Sequence, residues 1–284
     1  MGKGAARMDG HEDMRCGYYV KRTVRAGRTV EVTRYYSRRL GATGNGRERI
    51  AKGMSREAEE SKWKRAEDRV RWLLNENFRP GDLWMRMSLP GGQRLEREEA
   101  VAVVRDFLRR LKREYGKRGC ELRYVYTAGL GRRGGLHFHI VLPGCVDSAV
   151  VERCWHSAAG TAECPYPSTN TRHLYEECSY GKLAAYLIKN SRETWEGRLF
   201  GKRYCRSRSL REPEVERRIV RARRWHREPR IPAGWRLISE VSAGLSEGGY
   251  PYQWYAMAMV TVQPPQRGRP RKGRQRDEQG DGSG

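Results

Sequence analysis

Two predicted strands, Glu121 to Thr127 and Leu136 to Leu142, flank a glycine-rich segment from Gly129 to Gly135, and this spacing constrains the chain most. A connection that short suits two antiparallel, hairpin-paired strands. Pro143-Gly144 closes the second run. Ahead of the pair, residues 94–115 carry Val101, Val104, Leu108, Leu111 and Tyr115 on one helical face, and Gly116 and Gly119 stop that helix. Asp82 to Leu89 reads as a further strand between the breakers Asn77-Phe78-Arg79-Pro80-Gly81 and Pro90-Gly91-Gly92. Upstream, Gly17 to Val24 and Arg28 to Tyr36 form a second predicted hairpin around Arg25-Ala26-Gly27. An amphipathic helix follows from Ser55 to about Asn75, with Trp63, Ala66, Val70, Leu73 and Leu74 inward. Downstream come helices at Ser148 to Ser157 and Ser179 to Asn190, then strands at Trp235 to Val241 and Tyr250 to Val262. The fold class this predicts is α+β, a central antiparallel β-sheet flanked by helices with basic N- and C-terminal extensions. Residues 1–16 read as a loose lead, 17–76 as hairpin plus charged helix, 77–262 as the main domain, and 263–284 as a disordered basic tail.

The formal net charge is +24 over 284 residues, most of it outside the tail. An excess of that size repels itself in the compact state, so a polyanionic partner is expected. No apolar run approaches the ~20 residues needed to cross a bilayer, and the charged N-terminus lacks a signal-peptide apolar region. The expected setting is therefore the cytoplasm, without membrane contact. Seven cysteines at irregular spacing fit reduced thiols. Cys154, His156, Cys164, His173 and Cys178 match no regular zinc knuckle.

His137-Phe138-His139 lies inside the run Leu136 to Leu142. Side chains alternate along a strand, so both imidazoles share one face while Phe138 and Ile140 take the other. Two imidazoles one strand-step apart can share a divalent metal; they can equally be polar residues on a solvated face. On the later helix, a wheel of 100° per residue places Leu183, Ala184, Leu187 and Ile188 together on the buried arc. Tyr186 falls on the polar side between Lys182 and Lys189. A cation beside a phenol favours the phenolate and can hold a phosphate oxygen. Tyr180 is nearly opposite in phase and reads as packing or capping.

The order of a His-hydrophobe-His strand followed by a Tyr-x-x-Lys helix resembles the HUH endonucleases. Asn77-Phe78-Arg79-Pro80-Gly81-Asp82, the turn and strand Arg133 to His139, Gly201-Lys202-Arg203-Tyr204 and Ser207-Arg208-Ser209-Leu210 look like the replication-associated proteins of bacterial mobile elements related to filamentous-phage initiators. The similarity spans roughly residues 17–262. It implies an RRM-like core with both histidines on its middle strand and a nucleophile helix packed beside it. It also implies nicking and rejoining of single-stranded DNA at a replication origin of a phage, plasmid or integrated element. By the same resemblance Tyr186 is the nucleophile, Lys189 its positioning cation, and His137 and His139 the ligands of Mg²⁺ or Mn²⁺. Many members carry an acidic third ligand at the positions that are Ala128 and Gly129 here. Water and substrate phosphate, a carboxylate from elsewhere, or a weakened site are the alternatives.

Phe200 to Arg230 holds 12 basic and four acidic residues interleaved with Phe200, Tyr204 and Trp225. That composition suits single-stranded nucleic acid, with Lys182, Lys202, Arg203, Arg206 and Arg208 as candidate DNA contacts; the alternative is a solvated charged helix from Val215 to Trp225. Arg267-Gly268-Arg269-Pro270 matches an AT-hook core, whose Arg267 and Arg269 would enter the minor groove of A·T-rich duplex DNA. No Walker-type motif is present, so unwinding and synthesis would fall to a host helicase and polymerase. A single-strand transposase or mobilisation relaxase of the same chemistry, and a non-catalytic basic nucleic-acid-binding protein, are the rival readings.

Overall fold

Strand β5 (Leu136–Leu142) occupies the middle of a five-stranded antiparallel sheet, and all seven of its residues are buried. The computed structural model describes residues 17–37, 56–90, 97–131, 134–175, 178–196, 202–221, 225–226, 228–246 and 249–260. In chain order the elements are β1 (Tyr18–Ala26), β2 (Thr29–Ser37), α1 (Arg56–Asn77), β3 (Leu83–Ser88), α2 (Arg97–Lys117), β4 (Val125–Leu130), β5, α3 (Ser148–Ala159), β6 (Thr169–His173) and α4 (Gly181–Glu196). Then come β7 (Cys205–Arg206), β8 (Glu214–Val220), β9 (Trp235–Leu237), β10 (Ser242–Leu245) and β11 (Pro251–Met259).

The central sheet has the order β6-β3-β5-β4-β7, and every pairing is antiparallel. Alternation along its strands creates two different cores. Leu83, Met85 and Met87 of β3, Ala128 of β4, and Leu136, Phe138, Ile140 and Leu142 of β5 face α2 and α3, where Phe107, Leu111, Tyr115 and Trp155 fill the layer. Val125 and Val141 face α1 and α4, meeting Trp63, Val70, Leu73, Leu74, Ala184, Leu187 and Ile188. The sheet is thus covered by helices on both sides, as the α+β class anticipates.

A second antiparallel sheet runs β10-β11-β2-β1-β8, with β9 beside β10 along the outer edge of β11. It unites the N-terminal hairpin with C-terminal strands, so the two sheets do not follow the division at residue 76. Helix α1 joins them. One face lies in the α4 layer, while Trp72 packs on Val24 and Ala26, and Arg71 reaches Glu31 on β2 through a bidentate pair at 2.7 and 2.8 Å. Burial works against the Arg71 charge, but Glu31 and Asp68 outweigh it and push its pKa up. The hairpin turn at Gly27 has φ 54°, and an added Cβ would meet the Asn75 carbonyl at 2.1 Å. Only glycine fits there.

Several boundaries differ from the sequence reading. Glu121 to Tyr124 do not pair in the sheet: Ser209 Oγ donates to Leu122 O, and Tyr124 N donates to Ser207 Oγ, so β4 starts at Val125 and extends through Gly129 and Leu130. Helix α4 continues to Glu196 because Thr194 is buried and its hydroxyl donates to Ala128 O at 2.9 Å. The charged segment from Val215 is a strand, not a helix, because it completes the ladder of β1 from Val220 to Glu214. The approach motif has a structural use. Asp82 accepts from Arg79 N and Gly144 N, and Asn77 bridges α1 to Arg211.

The Arg71–Glu31 pair generates the first prediction, since its side chains are only 12% and 4% exposed. Arg71→Leu should cost about 3–5 kcal/mol by leaving a carboxylate buried and unpaired, whereas Arg71→Leu with Glu31→Leu should recover most of the loss. Urea unfolding followed by circular dichroism measures both; equal destabilisation by the single and double variants would contradict it.

Candidate active site

The register of the central sheet brings one row of unusual side chains under α4. On the α1/α4 side, Thr127 of β4 stands opposite His139 of β5, which stands opposite Arg86 of β3. In the next row Gly129 faces His137, which faces Ser88. His137 and His139 are 4% and 1% exposed, so the shared face is buried, not solvated. Their ring centroids are 5.0 Å apart. Burial, with the nearby Arg86 charge, pulls the pKa of His137 down to about 4, against a Gly135 backbone hydrogen bond. Burial, then His137 and Arg86, pulls that of His139 to about 3. Both rings are neutral at physiological pH and can act as ligands.

Helix α4 carries Tyr186 over this row. Its ring centroid is 5.1 Å from that of His139 and 5.5 Å from that of Trp84, both edge-to-face, and the residue is 40% exposed. The phenol ring therefore borders His139 while remaining partly exposed. Lys182 and Lys189 flank it on the exposed face of the helix. Tyr180 is buried at the start of α4, and its backbone N–H donates to Asn75 Oδ1 at 2.8 Å.

Glycine at position 129 makes this proximity feasible. A Cβ there would sit 2.7 Å from His137 Nε2 and 3.2 Å from the Asn190 carbonyl of α4. An acidic side chain at that position has no room; the helix and imidazole occupy the space. Four polar atoms on this face are buried without a hydrogen-bond partner: His137 Nδ1, both nitrogens of His139, and Thr127 Oγ1. Unpaired buried polar groups are costly, so such a cluster is a candidate place for another group. Two neutral imidazoles and a hydroxyl fit a divalent cation whose remaining positions are open. Among the described residues no three His, Cys, Asp or Glu side chains converge on one point.

The basic candidates divide. Lys202 and Arg208 are exposed, and Arg206 is exposed but paired with Glu212 at 2.6 Å. Arg203 is drawn inward, ion-paired with Glu59 and lying 4.5 Å over Trp63, so it holds its segment against α1. Arg267 and Arg269 lie outside the described residues. The residues missed by the sequence reading are Trp84, Arg86 and Thr127, and the steric role of Gly129. Their signal lies in strand register, which sequence spacing alone does not supply.

Residues 91–191 match the family model described as replication-associated protein ORF2/G2P. The matched stretch runs from the approach to α2 through β5 to α4, and so holds His137, His139 and Tyr186 together. The match supports a part in replication initiation. Searches of curated proteins and of solved structures found no match. No described helix is long and apolar enough to cross a membrane.

Gly129→Ala tests the packing. It should cost about 1–3 kcal/mol through overpacking and displace the His137 ring, read as a shift of its imidazole ¹⁵N resonances. Unchanged resonances would mean that the helix, not the ring, yields.

Proposed function

We propose that this chain is a replication initiator that nicks and rejoins single-stranded DNA through a phosphotyrosine at Tyr186. The observation that carries the reading is the 5.1 Å approach of the Tyr186 ring to His139, between elements that the chain places far apart in sequence. A bystander tyrosine on an amphipathic helix has no reason to border a buried imidazole with both nitrogens unpartnered.

In this reading His137 and His139 would hold Mg²⁺ or Mn²⁺, with the Thr127 hydroxyl in the same row. The ion, when bound, supplies positive charge to a non-bridging phosphate oxygen. The remaining work belongs to the chain. Helix α4 holds the Tyr186 oxygen at an open face, where it attacks phosphorus. The bond from phosphorus to the 3′ oxygen breaks, the tyrosine keeps the 5′ phosphate as an ester, and the phenolic proton ends on the released 3′-hydroxyl. Lys189, one turn beyond the tyrosine, positions the phosphate. The ester conserves the energy of the bond, so another 3′-hydroxyl can reverse the step without a nucleotide cofactor. The freed 3′ end can prime synthesis by host polymerase and helicase. In this reading the exposed Lys182, Lys202 and Arg208 would meet the strand, and the tail with Arg267 and Arg269 would add contact with A·T-rich duplex.

Tyr186→Phe should abolish adducts with single-stranded DNA that survive denaturing electrophoresis in Mn²⁺, while affinity stays within about twofold because only one hydroxyl is lost. Adducts persisting in the variant would remove Tyr186 as the nucleophile. Replacing His137 and His139 together by Ala should eliminate metal-dependent cleavage, with folding checked by circular dichroism. Equal cleavage in EDTA would assign the histidines to packing instead.

A further inference from the structure

Beside Tyr186 the surface opens into a cleft of about 250 Å³, lined by Trp84, Leu174, Tyr175, Lys182, Leu183 and Tyr186. That is roughly eight times the ~30 Å³ share of one liquid water, a space on the scale of a flat heterocycle. Two features give it a chemical preference. Its walls are mainly rings and leucine side chains, and Tyr175 is left 67% exposed at the edge. Its border is cationic: Lys182 lies on α4, and Arg172 sits 5.8 Å over the Trp84 ring.

We propose that this cleft receives one unstacked nucleobase of the single strand, adjacent to the phosphate that Tyr186 addresses. The inference rests on the nicking reading for the position of that phosphate, but the cleft's chemistry stands apart from it. Aromatic walls stack on any base, since every base has a π-face. Lys182 and Arg172 meet the flanking phosphates. Double-stranded DNA keeps its bases paired and stacked, so the cleft would also contribute a preference for single strands. The net charge of +24 supplies the long-range attraction that brings the polyanion there.

The test uses binding without divalent metal, so that no cleavage intervenes. Two short deoxyribose-phosphate strands are compared by fluorescence anisotropy at fixed salt, one entirely abasic and one bearing a single 2-aminopurine. The wild-type protein should bind the base-bearing strand of order tenfold more tightly and quench the 2-aminopurine. Tyr175→Ala, at an exposed position that folding does not depend on, should bring the two affinities within about twofold. Leu183→Trp, which fills the cleft, should do the same, while the abasic strand binds all three proteins alike. Equal wild-type affinity for both strands, or a preference that survives both substitutions, overturns the proposal. Tyr186 adducts are scored separately. A base preference in a protein that forms no adduct would keep the cleft and remove the nicking reading; adducts without a base preference would do the reverse.

Discussion

Burial of β5 on both faces is the constraint from which the rest of the molecule follows. A central strand covered by helices on two sides usually reads as a continuous apolar run. Here Leu136, Phe138, Ile140 and Leu142 supply one apolar face, but the other contains two imidazoles before reaching Val141. Desolvating these rings holds them neutral and leaves nitrogen atoms without partners. The fold tolerates this because α2 and α3 close the opposite core, while α1 and α4 pack Val125 and Val141 at the far end of the histidine face. The apolar packing and the polar histidine row are thus separated along the same strand, a few residues apart.

Helix α1 connects this arrangement to the second sheet. Its Trp63, Val70 and Leu74 support the layer that carries Tyr186, and its Arg71, Trp72 and Asn75 grip the N-terminal hairpin. Asn75 also caps the entry to α4 by accepting from Tyr180 N. The second sheet is therefore mechanically linked to the helix bearing the tyrosine. Its exposed edge strand β8 carries Arg217 and Arg218 beside Glu214 and Glu216.

Much of the site was legible in the chain because the relevant patterns are local. The period of two in Leu136 to Leu142 places His137 with His139, and the period of 3.6 in the helix places Tyr186 away from Leu183, Leu187 and Ile188. The structure keeps both arrangements. Other features depend on partners distant in sequence. The segment Val215 to Val220 is charged enough to resemble a solvated helix, yet pairing with β1 makes it a strand. Arg203 looks like a phosphate contact until Glu59 and Trp63, well over a hundred residues earlier, are seen to hold it.

By itself the sequence determined the α+β class, the antiparallel β4–β5 pair, the shared face of the histidines, and the polar setting of the tyrosine, because each is set by side-chain periodicity and short connections. Only the tertiary structure decided that the histidine face is buried, that Thr127 and Arg86 flank His139 in register, and that Gly129 must lack a side chain for α4 to settle over His137. Those outcomes depend on which strands become neighbours and how closely a helix approaches them, and both are fixed by packing between segments that share no local pattern.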